Sequence, residues 1–389
     1  MATGQAEGDD GEVIEDGAAR LVFVQDRDGP ATIGVLAALE RHMPLASDGV
    51  GDKTYPATIP PMKSRAACIL LSYAIGIVLL VSGVWLATAF GALSPSLLRL
   101  ANGDVRIDYS TTAGLYYRIE VSNDLQTWVP MMTLRSPGVL QHTDTAAGYN
   151  PAKRFYRVGE VTGTNILTGD HLVTDSGDVI FHPINHASFV MSWNGKMIYS
   201  DPVGGSGPYQ NLQKADLILV THDHGDHFSS STIDAVRATG ATIVAPQYVY
   251  DNSMSAAQRS ITTVLANGAN TNVLGLNVAA VPAYNANHPL GRGNGYVLTI
   301  GGRRIFISGD TGDVAEIRTL PNIDVAFLCM NVPFTMNITQ AASTVRQMKP
   351  KVVFPYHFRN QDSTFADLNS FRQQVGTDLG IEVRVRTWY

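Results

Sequence analysis

Leu217-Ile-Leu-Val-Thr-His222-Asp223-His224-Gly225-Asp226-His227 sets four metal-competent side chains, His222, His224, Asp226 and His227, directly after an apolar run. Leu217–Val220 reads as a buried strand. In extended chain, side chains alternate between faces, which sends His222, His224 and Asp226 to one side. Gly225 frees the backbone to turn, so that His227 swings towards a neighbouring position. Imidazole and carboxylate at this density suit zinc or another first-row divalent ion. Without a cation, the same cluster costs desolvation and mutual repulsion.

Outward from this segment the pattern is mixed α and β from Val179 onward. Ser188–Trp193 and Lys196–Ser200 flank Asn194-Gly195, a strong two-residue hairpin signal. Ser230–Thr239 reads as a helix with serines to cap it and Gly240 just past its end. Strands are expected at Ala241–Ala245, Leu276–Ala283, Tyr296–Ile300 and Arg303–Ser308, the last two joined by Gly301-Gly302. Val325–Met330, a helix from about Thr339 to Met348, and Val352–Pro355 complete a βαβ unit. Hairpins next to βαβ units predict an α/β fold of two sheets sandwiched between helices.

His222-Asp223-His224-Gly225-Asp226-His227 resembles the HxHxDH signature of the metallo-β-lactamase superfamily, and the resemblance extends over roughly residues 181–389. It implies an αββα sandwich and a metal-dependent hydrolase. Asp201, in Ser-Asp-Pro-Val, matches the family's buried aspartate that orders the metal loop. Asp310, in Ile-Ser-Gly-Asp-Thr, matches the carboxylate that bridges two metals, and His357, in Phe-Pro-Tyr-His-Phe, matches the last ligand. His288 stands alone between the loop and Asp310 and fills the place of the family's downstream histidine. By resemblance, His222, His224 and His288 hold one divalent metal, zinc first and manganese or iron as alternatives. Asp226, His227 and His357 hold the second, with Asp310 bridging.

Such a pair of ions lowers the pKa of water towards about 7, and the resulting hydroxide attacks a carbonyl or phosphorus centre. Asp226 is the expected proton acceptor, and Asp226 and Asp310 are the residues expected to carry the catalysis. His186 is expected beside the ligands or facing substrate. Asn185-His186-Ala187-Ser188, Ala283-Tyr284-Asn285, Pro333–Met336 and Pro350–His357 resemble the ascorbate-6-phosphate-lactonase-like branch. That branch neighbours phospholipase D-like enzymes acting on N-acyl phosphatidylethanolamine. Asn285, Arg292, Asn331 and Arg359 are candidate pocket residues; His42, His142, His171 and His182 are expected to be structural or exposed.

The remainder of the chain is organised differently. The net charge of −6 is uneven: residues 1–61 hold eleven acidic against four basic residues, a net −7, so the other 328 residues sum to +1. No basic field exists to attract nucleic acid, and small molecules or lipids fit better as substrates. Cys68 and Cys329 cannot build a disulfide framework. Residues 1–61 read as an acidic, largely disordered extension, with a short strand at Leu21–Val24 and a helix at Ile33–Leu39. Lys63 and Arg65 precede an uncharged run from Ala66 to Leu98, long enough for a membrane span. The expectation is a transmembrane anchor over residues 62–98, touching the membrane through residues 66–92, or a signal peptide cleaved near Ala87-Thr88-Ala89.

Met62 would then be the start of the chain. The enzyme would lie outside the cytoplasm, anchored if the segment is retained and secreted or periplasmic if it is cleaved. Residues 99–160 read as a small β-sandwich module with strands at Val105–Tyr109, Tyr116–Val121, Trp128–Leu134 and Arg154–Val158, resembling fibronectin type III modules. The hydrolase domain covers residues 161–389. The competing reading is a non-catalytic surface protein whose β module binds a partner and whose C-terminal domain is a metal-stabilised scaffold.

Overall fold

The computed structural model of the chain describes residues 21–26, 96–146 and 153–389. The rest of the 1–61 extension, including the helix expected at Ile33–Leu39, and nearly all of the 62–98 segment lie outside them. Among the described residues no helix is long and apolar enough to cross a membrane. The last three residues of the apolar run, Ser96–Leu98, belong instead to a strand.

Strand β1 (Leu21–Asp26) pairs antiparallel with a later strand, and the next six form two facing sheets. These are β2 (Ser96–Arg99), β3 (Val105–Ser110), β4 (Tyr116–Ser122), β5 (Val129–Arg135), β6 (Val139–Asp144) and β7 (Lys153–Val161). One sheet has the order β2-β3-β6, the other β1-β7-β4-β5. Val105, Ile107, Tyr109, Ile119, Tyr156 and Val158 fill the space between them. Alternation puts them there: β3 is buried at every second residue, the mark of a strand with one wet face.

This sandwich does not stand apart. β5 pairs with β8 (Gly169–Thr174) through Met132↔Asp170 and Thr133↔Gly169. The sheet therefore runs on as β8, β9 (Gly177–Asn185), β10 (Ser188–Trp193), β11 (Lys196–Ser200), β12 (Ala215–Leu219), β13 (Arg237–Ala245) and β14 (Thr262–Val264), eleven strands among the described residues. Buried ions close the seam. Asp170 receives Arg386 at 2.7 and 2.8 Å, and Arg372 pairs with Asp104 of the module.

His142, in β6, lies in the same seam, with its Nε2 lacking a hydrogen-bond partner. Burial, reinforced by the Arg386 charge, pushes its pKa down from 6.5 to about 4. A histidine kept neutral in the fold gives full stability above its unfolded value of 6.5. As pH falls from there towards 4 the unfolded chain takes up the proton first, and about 3 kcal/mol is lost. Urea unfolding between pH 7 and 4 should show this loss, and His142→Gln should flatten the slope by about that amount.

The second sheet has the order β15 (Asn270–Val273), β16 (Leu276–Ala283), β17 (Gly293–Ile300), β18 (Arg303–Ile307), β19 (Val325–Cys329), β20 (Val352–Tyr356) and β21 (Glu382–Val383). Phe189 of β10 stacks on Phe327 of β19 at 4.3 Å, and Phe181 of β9 meets Phe327 at 5.2 Å, so the two sheets share one core. Neighbouring residues on β10 and β12 point to opposite sides: Phe189 and Leu217 into that core, Val190 and Ile218 into a second cluster. This second cluster is completed by α1 (Ser230–Val236) and α2 (Gln247–Asn252), with α3 (Ala256–Arg259) following them. On the other sheet, α5 (Ile338–Met348) and α6 (Leu368–Val375) contribute Ala341, Val345 and Phe371, and a short α4 (Ala315–Arg318) precedes them. The order of layers is helix, sheet, sheet, helix, as expected.

The Asn194-Gly195 turn has both residues at positive φ, 47° and 71°, as a tight hairpin of this kind requires. α1 is shorter than expected. Ser229 caps it, but it stops at Val236, and Arg237–Ala245 are drawn into the parallel ladder with β12, with a register shift between Ala215 and Leu217. Sheet pairing outweighs the helix preference of the three residues Arg237–Thr239.

Candidate metal centre

The ligand loop is not extended, which corrects the alternation argument. β12 ends at Leu219, and the N–H groups of His227 and Phe228 both donate to the His224 carbonyl, at 2.9 and 2.8 Å. Residues 224–228 thus close a helical turn that fans the side chains in three directions. His222 and His224 meet His288; Asp226 meets His186 and His357; His222 and His227 meet Asp310. Within each group the ligand atoms lie inside 4.8 Å of one another. Gly225 has ordinary φ and open space where a Cβ would stand, so the turn owes its shape to these hydrogen bonds and not to glycine.

Each remaining partner arrives from the C-terminal end of a strand. Asp201 follows β11 with φ of 43° and is wholly buried. Its carboxylate accepts from the Thr221 N–H and hydroxyl, each at 2.7 Å, and from His227 Nδ1 at 2.8 Å. With Nδ1 committed to Asp201, His227 turns Nε2 towards the centre. Asp310 follows β18 through Gly309, whose φ is 57°. A Cβ on Gly309 would come within 3.0 Å of Thr221 Cβ and the Asn294 carbonyl, so this strand end approaches the ligand loop only as glycine.

Asp310 Oδ1 stands 3.2 Å from His227 Nε2 and 3.3 Å from His357 Nε2. His357 follows β20, has φ of 48°, and reaches Asp226 Oδ2 at 3.3 Å. His288 sits between β16 and β17, with Nε2 3.1 Å from His224 Nδ1. Asn285 holds that loop: its Oδ1 accepts from the N–H groups of Asn287 and His288, and its Nδ2 donates to the Asp310 carbonyl at 3.0 Å.

Burial, then the neighbouring His227, drives the His222 pKa well below 6.5. Burial would raise Asp310, but His357 and His227 hold its carboxyl well below the usual range. Burial works the same way on Asp226, and hydrogen bonds from His186 and His357 override it. His227 goes the other way: burial opposes its charge, yet Asp310 and Asp201 hold its pKa well above normal. The centre is a set of ionised carboxylates interleaved with imidazoles.

His222 Nε2, His227 Nε2 and Asp310 Oδ1 are buried and make no well-formed hydrogen bond, the last two meeting only as a charged pair 3.2 Å apart. An orphaned buried polar atom costs roughly 1–3 kcal/mol. Three of them converging, two imidazole nitrogens and a carboxylate oxygen, are the donor set of a divalent cation. All seven expected ligands are brought together, and His186 joins them as an eighth group at the centre.

Some of the groups around the ligands were expected in the pocket, as Arg292 and Asn331 were; Thr221 and Tyr389 left little trace in the sequence. Thr221 joins Asp201 to the loop. Arg292 grips Asp223 with two bonds of 2.9 Å and lies 4.8 Å over the Tyr248 ring, tying the His288 loop to the His222–His227 loop. Asn331 donates to the Arg359 carbonyl at 2.8 Å. Tyr389 meets His186 across 203 positions of chain, its hydroxyl 2.7 Å from Nδ1. For Thr221 the sequence signal was polarity next to a ligand; Tyr389 had none.

A family model described as the beta-lactamase superfamily domain matches residues 182–357. A metal-dependent hydrolase from Thermococcus kodakarensis is 34% identical over 205 residues, covering 50% of this chain and 90% of its own. Another from Pyrococcus abyssi is 31% identical over 213 residues, covering 51% of this chain and 93% of its own. Among solved structures, one described as a metal-dependent hydrolase from Parabacteroides distasonis is 35% identical. It covers 57% of this chain and 99% of its own, with a TM-score of 0.51.

Proposed function

The chain belongs to the metallo-β-lactamase superfamily of metal-dependent hydrolases, and from that premise we propose that it cleaves an ester, lactone, amide or phosphodiester bond at a centre of two divalent cations, zinc first among them. The observation that carries this reading is the convergence of His222 Nε2, His227 Nε2 and Asp310 Oδ1 on one buried point without well-formed hydrogen bonds of their own. His222, His224 and His288 would hold one cation and Asp226, His227 and His357 the other, with Asp310 between them. When bound, such ions polarise the substrate oxygen and make water nucleophilic near neutral pH.

The chain's own groups do the rest. Asp201 holds Thr221 and His227 in place, so the centre is preorganised before substrate arrives. Asn285 fixes the loop of His288 against the strand end that bears Asp310. Asp226 is the most open of the ligand carboxylates and is held ionised, which makes its carboxylate the fitting proton acceptor during the attack. The near-neutral charge of residues 62–389 suits a small molecule or lipid better than a long polyanion.

The test is removal and return of metal. Dialysis against a chelator should bring turnover of a panel of ester, lactone, amide and phosphodiester substrates to background. Zinc, manganese or iron(II) should restore it, with occupancy approaching two ions per chain. Full turnover in metal-free protein would refute the reading. A fully loaded protein inert on the whole panel would favour the scaffold reading.

A further inference from the structure

The Tyr389 hydroxyl makes three polar contacts. The backbone N–H groups of Phe358 and Arg359 both donate to it, each at 3.1 Å, and His186 Nδ1 lies 2.7 Å away. A hydroxyl has two acceptor lone pairs and one proton. The two N–H donors fill the lone pairs, so the third contact can only be the phenolic proton donated to Nδ1. In neutral His186, Nδ1 is then an acceptor and the ring proton sits on Nε2. That nitrogen points at the centre, 3.3 Å from Asp226 Oδ2, with the ring 3.8 Å from that of His357.

We propose that Tyr389 sets the tautomer of His186, so that His186 acts as a positioning residue donating Nε2–H to the Asp226 carboxylate and is not a metal ligand. Position alone would allow ligation, since His186, Asp226 and His357 cluster as tightly as the other two groups. Ligation through Nε2 needs its lone pair, which would move the proton to Nδ1. Tyr389 would then face three donors, with no acceptor among them for its own proton. The arrangement has a use: a hydrogen bond from behind orients a ligand carboxylate, and Asp226 Oδ2 lies 3.3 Å from both His186 Nε2 and His357 Nε2. His186 is held in turn by a left-handed backbone, φ 55°, by its N–H bond to the Trp388 carbonyl at 3.3 Å, and by its own carbonyl, which accepts the His357 N–H at 3.2 Å.

Asp226 as a ligand rests on the function proposed above, but the tautomer does not, and the experiment separates them. In the 15N-labelled full chain without metal, His186 should show a pyridine-type Nδ1 and a pyrrole-type Nε2. The reverse pattern would overturn the proposal whatever the protein hydrolyses. After zinc loading the pattern should persist, and His186→Ala should keep the wild-type number of ions per chain; loss of one ion would make His186 a ligand. His186→Ala should lower turnover about 10–100-fold, the usual cost of losing a group behind a ligand. His186→Gln, whose carboxamide nitrogen reaches the Nε2 position, should recover most of that loss. Tyr389→Phe should leave metal content intact while mixing the two tautomers; an unchanged single Nε2–H form would show that Tyr389 does not set it.

Discussion

Asp310→Ala is expected to lower turnover at least about 10³-fold and to leave fewer than two ions per chain, as read by elemental analysis beside steady-state kinetics. Several kcal/mol of transition-state stabilisation come from the ions of such a centre, and each 1.36 kcal/mol is a factor of ten. Asp310 is the group on which the rest depend. Its Oδ1 lies between His227 Nε2 and His357 Nε2, 3.2 and 3.3 Å away, and it is buried. Without it His227 and His357 lose the buried carboxylate that links them, and only the more open Asp226 remains beside both. Circular dichroism should stay native, because Asp310 sits after β18 and not within its ladder. If the variant kept both ions and full turnover, the two-metal reading would fail.

Asp201→Ala should be the most damaging change away from the ligands themselves, costing about 3–5 kcal/mol of stability and about 10–100-fold in metal affinity. The carboxylate takes three hydrogen bonds, and its removal strands the buried N–H of Thr221 and frees the ring of His227. Thermal unfolding with and without zinc would show it, with the gap between wild type and variant wider in metal. Asp201→Asn is informative beside it. One oxygen can still accept from Thr221, but no single amide orientation satisfies the Thr221 N–H, the Thr221 hydroxyl and His227 Nδ1 together. Stability should recover in part and metal affinity less. An alanine variant as stable and as tightly metallated as wild type would remove Asp201 from the account.

Where reading and structure agree, the information was either local or carried by the family resemblance, as for Asp201, His288, Asp310 and His357. The His222–His227 loop is six contiguous residues, and its ligands cannot be far apart whatever the fold. Asn194-Gly195 needs only two positive-φ residues between alternating strands. Where they part, the cause is a contact with distant chain. The turn at residues 224–228 is made by bonds to the His224 carbonyl, and so the alternation expected of an extended segment never arises. The last residues assigned to α1 were claimed by the β12–β13 ladder. The module at residues 99–160 carries alternating strands in its sequence, but nothing in that pattern says that β5 will pair with β8 and extend one sheet through both parts of the chain.

By itself, then, the order of amino acids determined the chemistry of the centre and the layers around it: which side chains can bind a cation, and which faces of strands and helices must be buried. Hydrophobic period and ligand type are properties of short stretches, so they survive without coordinates. Tertiary structure alone decided which nitrogen of each imidazole faces the centre, since that depends on what holds the other one. For His227 the holder is Asp201, 26 positions away, and for His186 it is Tyr389, 203 positions away. A hydrogen bond is satisfied in space, and the sequence carries no period that records its partner.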